Sequence, residues 1–242
     1  MKKLRTYGSI ILILIAWQLF SNYGLVSKFL LPSPLEVLMA FIKDFKLILY
    51  HTKYTMAISF IGIFISISLS LFLSIIMDRF EAVYDVVYPI LILTQTIPTI
   101  AIAPLLIIWL GFYMKPKIVL VVISTFFPIT ISLINGYRSV DKDNINLLKA
   151  MGASKYQIYK YLKFPSSMSY FFSGLKVSMS YALISAVIAE WLGGYYGLGV
   201  YMTRVKKSYE LDKMFAIIFF ISFLSLVLMY IIDNIEKKVI KN

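Results

Sequence analysis

Uncharged apolar runs recur along the chain at Thr6 to Ser27, Tyr54 to Met77, Val86 to Met114, Ile118 to Tyr137 and Met214 to Ile232. A further run, Met168 to Trp191, is broken only by Lys176 and Glu190. Each matches the roughly 20 residues that a helix needs to cross a bilayer core. The pattern therefore predicts an all-α polytopic membrane protein with about six transmembrane helices, forming one domain over 1–242. Lys2, Lys3 and Arg5 precede the first run much as in a secretory signal. No small-x-small cleavage pattern follows, and further spans do, so it reads as a retained first helix.

The polar breaks carry their own signals. After the first run comes Leu31-Pro32-Ser33-Pro34-Leu35-Glu36, where Ser33 is placed as an N-cap, Pro34 as the first helical residue and Glu36 as the third. That is a capping box with proline in its favoured position. Leu35, Leu38, Met39 and Ile42 then fall on one face, which suits a helix lying along the membrane surface as well as a simple connector. The third apolar run is longer than a bilayer requires and contains Pro89, Pro98, Pro104 and Gly111. Proline frees carbonyls that lipid cannot satisfy, so such a segment is buried against protein or lines a wet cavity. Gln95, Thr96, Pro98 and Thr99 are candidates for a translocation pathway, with Gln95 and Thr99 on one face if the helix is continuous. Interhelical hydrogen bonding explains the same residues equally well.

Between the fourth and fifth spans, about 138–166, the chain has too many charges to cross. Leu147, Leu148 and Met151 fall at helical spacing and Gly152 permits a left-handed turn. Ser154 is then positioned to cap a second short helix that Pro165 would end. The pattern predicts a helix-turn-helix elbow, with Tyr156, Ile158, Tyr159 and Leu162 available to a partner protein.

Composition narrows the possibilities. Sixty per cent of the 242 residues are hydrophobic, 15% are charged, and the net charge is +12; mean hydropathy is +0.82. A soluble domain could not bury that much apolar surface. The basic residues sit in short breaks between apolar runs, where they anchor helix ends to phospholipid, so nucleic acid is not an expected partner. With both termini cytoplasmic, the inner segments hold thirteen basic residues and the outer ones ten. The bias is small, and the six between Arg138 and Lys163 weigh most. Cysteine is absent and His51 is the single histidine, so neither disulfides nor a zinc cluster is available. Lys176 and Glu190, about 21 Å apart along a helix, cannot pair with each other. Lys176 is expected to snorkel to lipid phosphates. Glu190 is a candidate either for contacting solute, together with Trp191, or for bracing the loop from Gly193 to Gly199 through backbone N–H groups.

The elbow resembles the coupling loop of permease subunits of ATP-binding-cassette importers. Gly152, Leu162, Phe164 and Pro165 keep that loop's spacing, and Ala153-Ser154 is its common continuation. Asn146-Leu147-Leu148 stands where the family has Glu-Ala-Ala, so Asn146 can hydrogen-bond but supplies no charge to the ATPase. The resemblance assigns ATPase docking to Asn146, Leu147, Leu148, Lys149, Gly152, Ala153, Ser154, Leu162 and Pro165. It extends to Leu31-Pro32-Ser33-Pro34, Gln95-Thr96-Ile97-Pro98, Ala103-Pro104-Leu105 and Gly174-Leu175-Lys176, which are similar to nitrate, sulfonate and taurine permeases. The stretch Ala189 to Met202 looks most like relatives that import a thiamine precursor, hydroxymethylpyrimidine.

That resemblance implies a subunit of the plasma membrane, working with a nucleotide-binding ATPase, an extracytoplasmic solute-binding protein and, in a homodimer, a second copy. ATP and Mg would sit on the partner, since this chain has no Walker pattern, and it would not itself be an enzyme. An ion-coupled carrier remains the rival; it would favour inverted repeats and paired broken helices, and one Pro-broken run is seen. A membrane enzyme would need a cluster of His, Asp or Glu that the sparse acids do not supply.

Overall fold

The computed structural model describes residues 2–23 and 29–240; of the basic residues used to orient the chain, Lys28 and Lys241 lie outside them. The chain forms α1 (Lys2–Asn22), α2 (Pro34–Lys43), α3 (Phe45–Arg79), α4 (Glu81–Thr96), α5 (Thr99–Leu110), α6 (Met114–Arg138), α7 (Lys142–Ala150), α8 (Lys155–Ile158), a π turn (Tyr159–Lys163), α9 (Phe164–Leu192), α10 (Leu198–Lys207) and α11 (Leu211–Ile240). Among the described residues, four stretches are long and apolar enough to span: α3, α6, α8 through α9, and α11. The bent pair α4 and α5 counts as one more span at most, and α1 contributes the apolar helix Ile11–Asn22.

Three helices, α3, α6 and α9, make the centre, with α11 against α9. Ile58, Val121, Leu183 and Leu228 are buried where they meet. Between these apolar layers the close packing is done by small and hydroxylated side chains. Ser66 Oγ lies 2.6 Å from Thr125 Oγ1, Thr130 donates to Ser70 Oγ at 2.9 Å, and Ser178 donates to the Thr125 carbonyl. In hydrocarbon there is no water to drive helices together, so small residues that let backbones approach supply the contact. A Cβ at Gly174 would stand 2.6 Å from Ser132 Oγ and 2.8 Å from the Pro128 carbonyl oxygen. Gly174→Val is therefore expected to push α6 and α9 apart and cost about 3 kcal/mol or more, read as a lowered unfolding midpoint in detergent.

The third apolar run is not one straight helix. It breaks at Ile97 and Pro98, and α4 and α5 meet there at 97°. Ile97 holds an extended ψ of 120°, because a residue before proline is driven from the α region, and Pro98 stays extended as well at 123°. The Thr96 hydroxyl donates to the Leu93 carbonyl at 2.8 Å, one of the last carbonyls of α4 that no amide of the helix reaches. Gln95 and Thr99 consequently sit on different helices, not on one shared face.

At α2 the capping box forms as expected: Glu36 N–H donates to Ser33 Oγ and Ser33 N–H to Glu36 Oε2 at 2.7 Å. Val37 and Ala40 are buried, whereas Leu35, Leu38, Met39 and Ile42 are exposed together.

Candidate functional site

The elbow is built by two local devices. At its turn, Gly152 has φ 81°, Ala153 N–H donates to the Leu148 carbonyl and Gly152 N–H to that of Lys149, both at 2.9 Å. These are the two bonds of a Schellman end to α7. Ser154 then caps α8: Gln157 N–H donates to Ser154 Oγ, and Ser154 N–H donates to Gln157 Oε1 at 2.7 Å.

Pro165 does not end the second helix. The chain runs on from α8 through the π turn into α9, a helix of 38 residues from Lys155 to Leu192. The Phe164 amide reaches back to the Tyr159 carbonyl, and this wider turn accommodates a proline that has no N–H of its own. The elbow is pinned to the bundle by Lys163, whose ammonium lies 2.8 Å from both Asp78 oxygens, and by the Tyr137 and Tyr159 hydroxyls, 2.8 Å apart.

That pinning sorts the docking candidates. Asn146, Leu147, Lys149, Gly152, Ser154 and Pro165 are exposed, and Leu148, Ala153 and Leu162 are half-buried. Ile158 is buried and Tyr159 turns inward to Tyr137. The apolar side chains offered outward are Leu147, Met151, Tyr156 and Tyr161.

At the opposite end of the bundle lies a buried polar site around Glu190, which is 1% exposed. Its carboxylate accepts from the Thr55 hydroxyl at 2.9 Å and from Gly199 N–H at 2.8 Å. Thr55 Oγ1 in turn accepts from Leu198 N–H at 2.8 Å, and His51 Nδ1 accepts from Gly197 N–H at 3.1 Å. Three successive amides of the loop, Gly197 to Gly199, are thus held by three side chains of α3 and α9. Lys117, at the start of α6, is also buried and reaches under Gly194. Glu190→Gln keeps the shape but replaces one of the two acceptor oxygens by an NH2 donor. It is expected to cost about 1.5–3 kcal/mol, measurable as a lower unfolding temperature, and unchanged stability would exclude the carboxylate as a brace.

Just outside, Asp44 accepts from the Tyr201 hydroxyl and lies 3.1 Å from the Lys213 ammonium. Burial alone would raise the Asp44 carboxyl; Tyr201 and Lys213 outweigh it and hold it below the ordinary value. Burial, then the Asp44 charge, pushes the Tyr201 hydroxyl up.

Sequence reasoning missed Thr55, His51 and Lys117. The signal available was the run of polar residues His51, Thr52 and Thr55 on one face at the head of an apolar helix. Lys176 also departs from expectation. It does not reach for lipid but pairs with Asp233 and, at 2.6 Å, Glu236 of α11, acids one turn apart on the neighbouring helix. Of the pathway candidates, Gln95, Thr96, Pro98 and Trp191 are exposed, Thr99 is half-buried, and Glu190 faces the interior.

The described residues thus form a bundle of spanning helices, one of them broken at proline, with a basic elbow projecting from one end. The chain belongs to the family described as binding-protein-dependent transport system inner membrane component, which it matches over residues 73–241. It is the permease subunit of an ATP-binding-cassette importer. It is 34% identical, over 94% of its length and 91% of the relative's, to the formylaminopyrimidine transport permease ThiX of Halalkalibacterium halodurans. It is 28% identical to the riboflavin transport system permease RibX of Chloroflexus aurantiacus, over 96% of this chain and 88% of the other. Identity to the taurine transport permease TauC of Escherichia coli is 24%, over 86% and 78%. Its fold is that of a chain of the MetNI methionine transporter in an inward-facing form, with a TM-score of 0.72 at 17% identity over 81% of this chain and 98% of that one.

Proposed function

We infer that the chain, paired with a second copy, carries a thiamine precursor of the hydroxymethylpyrimidine kind across the membrane, after release from an extracytoplasmic binding protein. The identity of 34% with a formylaminopyrimidine permease over nearly the whole chain supports this most. The match with a taurine permease at 24% favours a sulfonate-type anion as the second reading. ATP and Mg sit on a separate ATPase that docks on the elbow. One bundle supplies half a pathway, and a two-fold pair completes it. The elbow lies at the cytoplasmic end, where the basic residues collect; the helix ends at Lys2 and Ile240 lie at that end too.

The test is reconstitution with the ATPase and the binding protein in proteoliposomes. ATP-dependent uptake of hydroxymethylpyrimidine is expected, with taurine and nitrate as comparison solutes. Uptake of taurine alone would select the anion reading, and uptake without ATP would discard both.

A further inference from the structure

The elbow's charge is arranged more specifically than an anchoring role needs. A cavity of about 850 Å³ opens beneath α7, and its walls include Arg79, Lys142, Lys149 and Lys155 together with Asn146 and Tyr156. Its two acids are already engaged: Asp78 holds Lys163 at 2.8 Å, and Glu81 meets Arg138 at 3.4 Å. Among the described residues, no carboxylate stands within 4.0 Å of Arg79, Lys142, Lys149 or Lys155. All four are exposed. Ile75, Ile145 and Tyr156 line the same cavity and supply apolar contact, so the surface has the apolar and polar parts of a protein interface.

We propose that this cavity receives a carboxylate-bearing segment of the partner ATPase, so that docking here runs with charges opposite to those of the Glu-Ala-Ala pattern. This rests on the docking role assigned to the elbow above and adds the chemistry of the partner's surface. Four cations around one concave site repel each other until an anion enters, and complementary charge fixes both partner and register. A flat anionic bilayer fits less well. It does not enter a cavity, and Asp141, the N-cap of α7, and Asp143 in its first turn, both exposed, would repel it.

Asn146 provides the sharpest test. Lys142 and Lys149 lie four residues before it and three after, on the same face of α7. A carboxylate at 146 would neutralise both and compete with the partner's acid. N146E, which restores the acidic side chain of the wider family pattern, is therefore expected to weaken docking.

The measurement is the affinity of the full-length chain in detergent for its co-assembling ATPase subunit, at low and high salt. Expected are a binding constant weakened at least about tenfold by K142E/K149E/K155E, by loss of complementary charge, and a smaller loss with K142Q/K149Q/K155Q. N146E weakens binding, and a steep salt dependence of the unaltered chain flattens in the variants. Monodispersity and an unchanged unfolding midpoint establish that the variants are folded, and the glutamine set serves if the glutamate set is not. Affinity that neither reversal nor N146E lowers overturns the proposal while leaving elbow docking intact. Failure of the unaltered chain to bind the ATPase overturns both. Loss of binding only to vesicles containing phosphatidylglycerol, with ATPase affinity kept, makes the cavity a lipid site and overturns the proposal as well.

Discussion

Gly197→Ala is expected to unseat the loop that Glu190 holds. Gly197 has φ 120°, a conformation that side-chain-bearing residues rarely adopt. A Cβ there would also fall inside the Glu190 carboxylate, which cannot retreat, because Thr55 and Gly199 hold its oxygens. Backbone strain and overpacking each cost about 1–3 kcal/mol, so a total of about 3 kcal/mol or more follows. The loss should show as a lower unfolding midpoint in detergent and as new protease sensitivity near Tyr195 and Tyr196, both exposed already. Combining it with Glu190→Ala separates the two causes. Removing the carboxylate relieves the collision and leaves the strain, so the double variant should be less destabilised than the sum of the two singles. Simple additivity would mean that the collision is not the source.

Gly152→Val should act at the other end, on coupling instead of stability. Nothing lies within 4 Å of a Cβ at 152, so no clash arises; the cost comes from φ 81° alone. A β-branched residue there is strained by about 1–3 kcal/mol, which the turn relieves by giving up the two bonds to the Leu148 and Lys149 carbonyls. The direction of α7 relative to α8 then changes. ATP hydrolysis by the assembled transporter is expected to continue while solute uptake falls at least about tenfold, which corresponds to a coupling loss of about 1.4 kcal/mol or more. Membrane insertion survives, since every span is untouched. Uptake and hydrolysis that fall together would indicate lost assembly, and normal uptake would reduce the elbow to a plain connector.

How far the sequence reveals the molecule depends on the range of the interaction concerned. Ser33 with Glu36, Ser154 with its following turn, and Gly152 are settled by residues within four positions, and all three form as the sequence reading expects. The presence of the apolar spans follows from composition in the same way, but their limits do not: α3 begins at Phe45 and the helix through α9 at Lys155, well ahead of the apolar runs at Tyr54 and Met168. Proline is less legible, because its effect depends on whether neighbours can absorb the missing bond. Pro98 bends the chain by 97°, while Pro89 and Pro104 stay inside helices, and Pro165 is taken up by a π turn. The pairing of Lys176 with Asp233 and Glu236, and the gathering of Thr55, His51 and Lys117 around Glu190 and its loop, are long-range. The partner lies 57 or more residues away in each pair except Glu190 with its own loop, so no local pattern announces it.

The π turn that absorbs Pro165 has a mechanical consequence. Because the helix is not cut there, the 38 residues from Lys155 to Leu192 form a single rod, roughly 55 Å long at the rise of an α-helix. One end carries Ser154 and the turn at Gly152; the other carries Glu190 and its grip on the loop at Gly197 to Gly199. Lys163 and Asp78 clamp the rod near its lower end. Because α6 is packed closely against this rod at Gly174, a rocking of the elbow would carry the two helices together and so reach the Glu190 end.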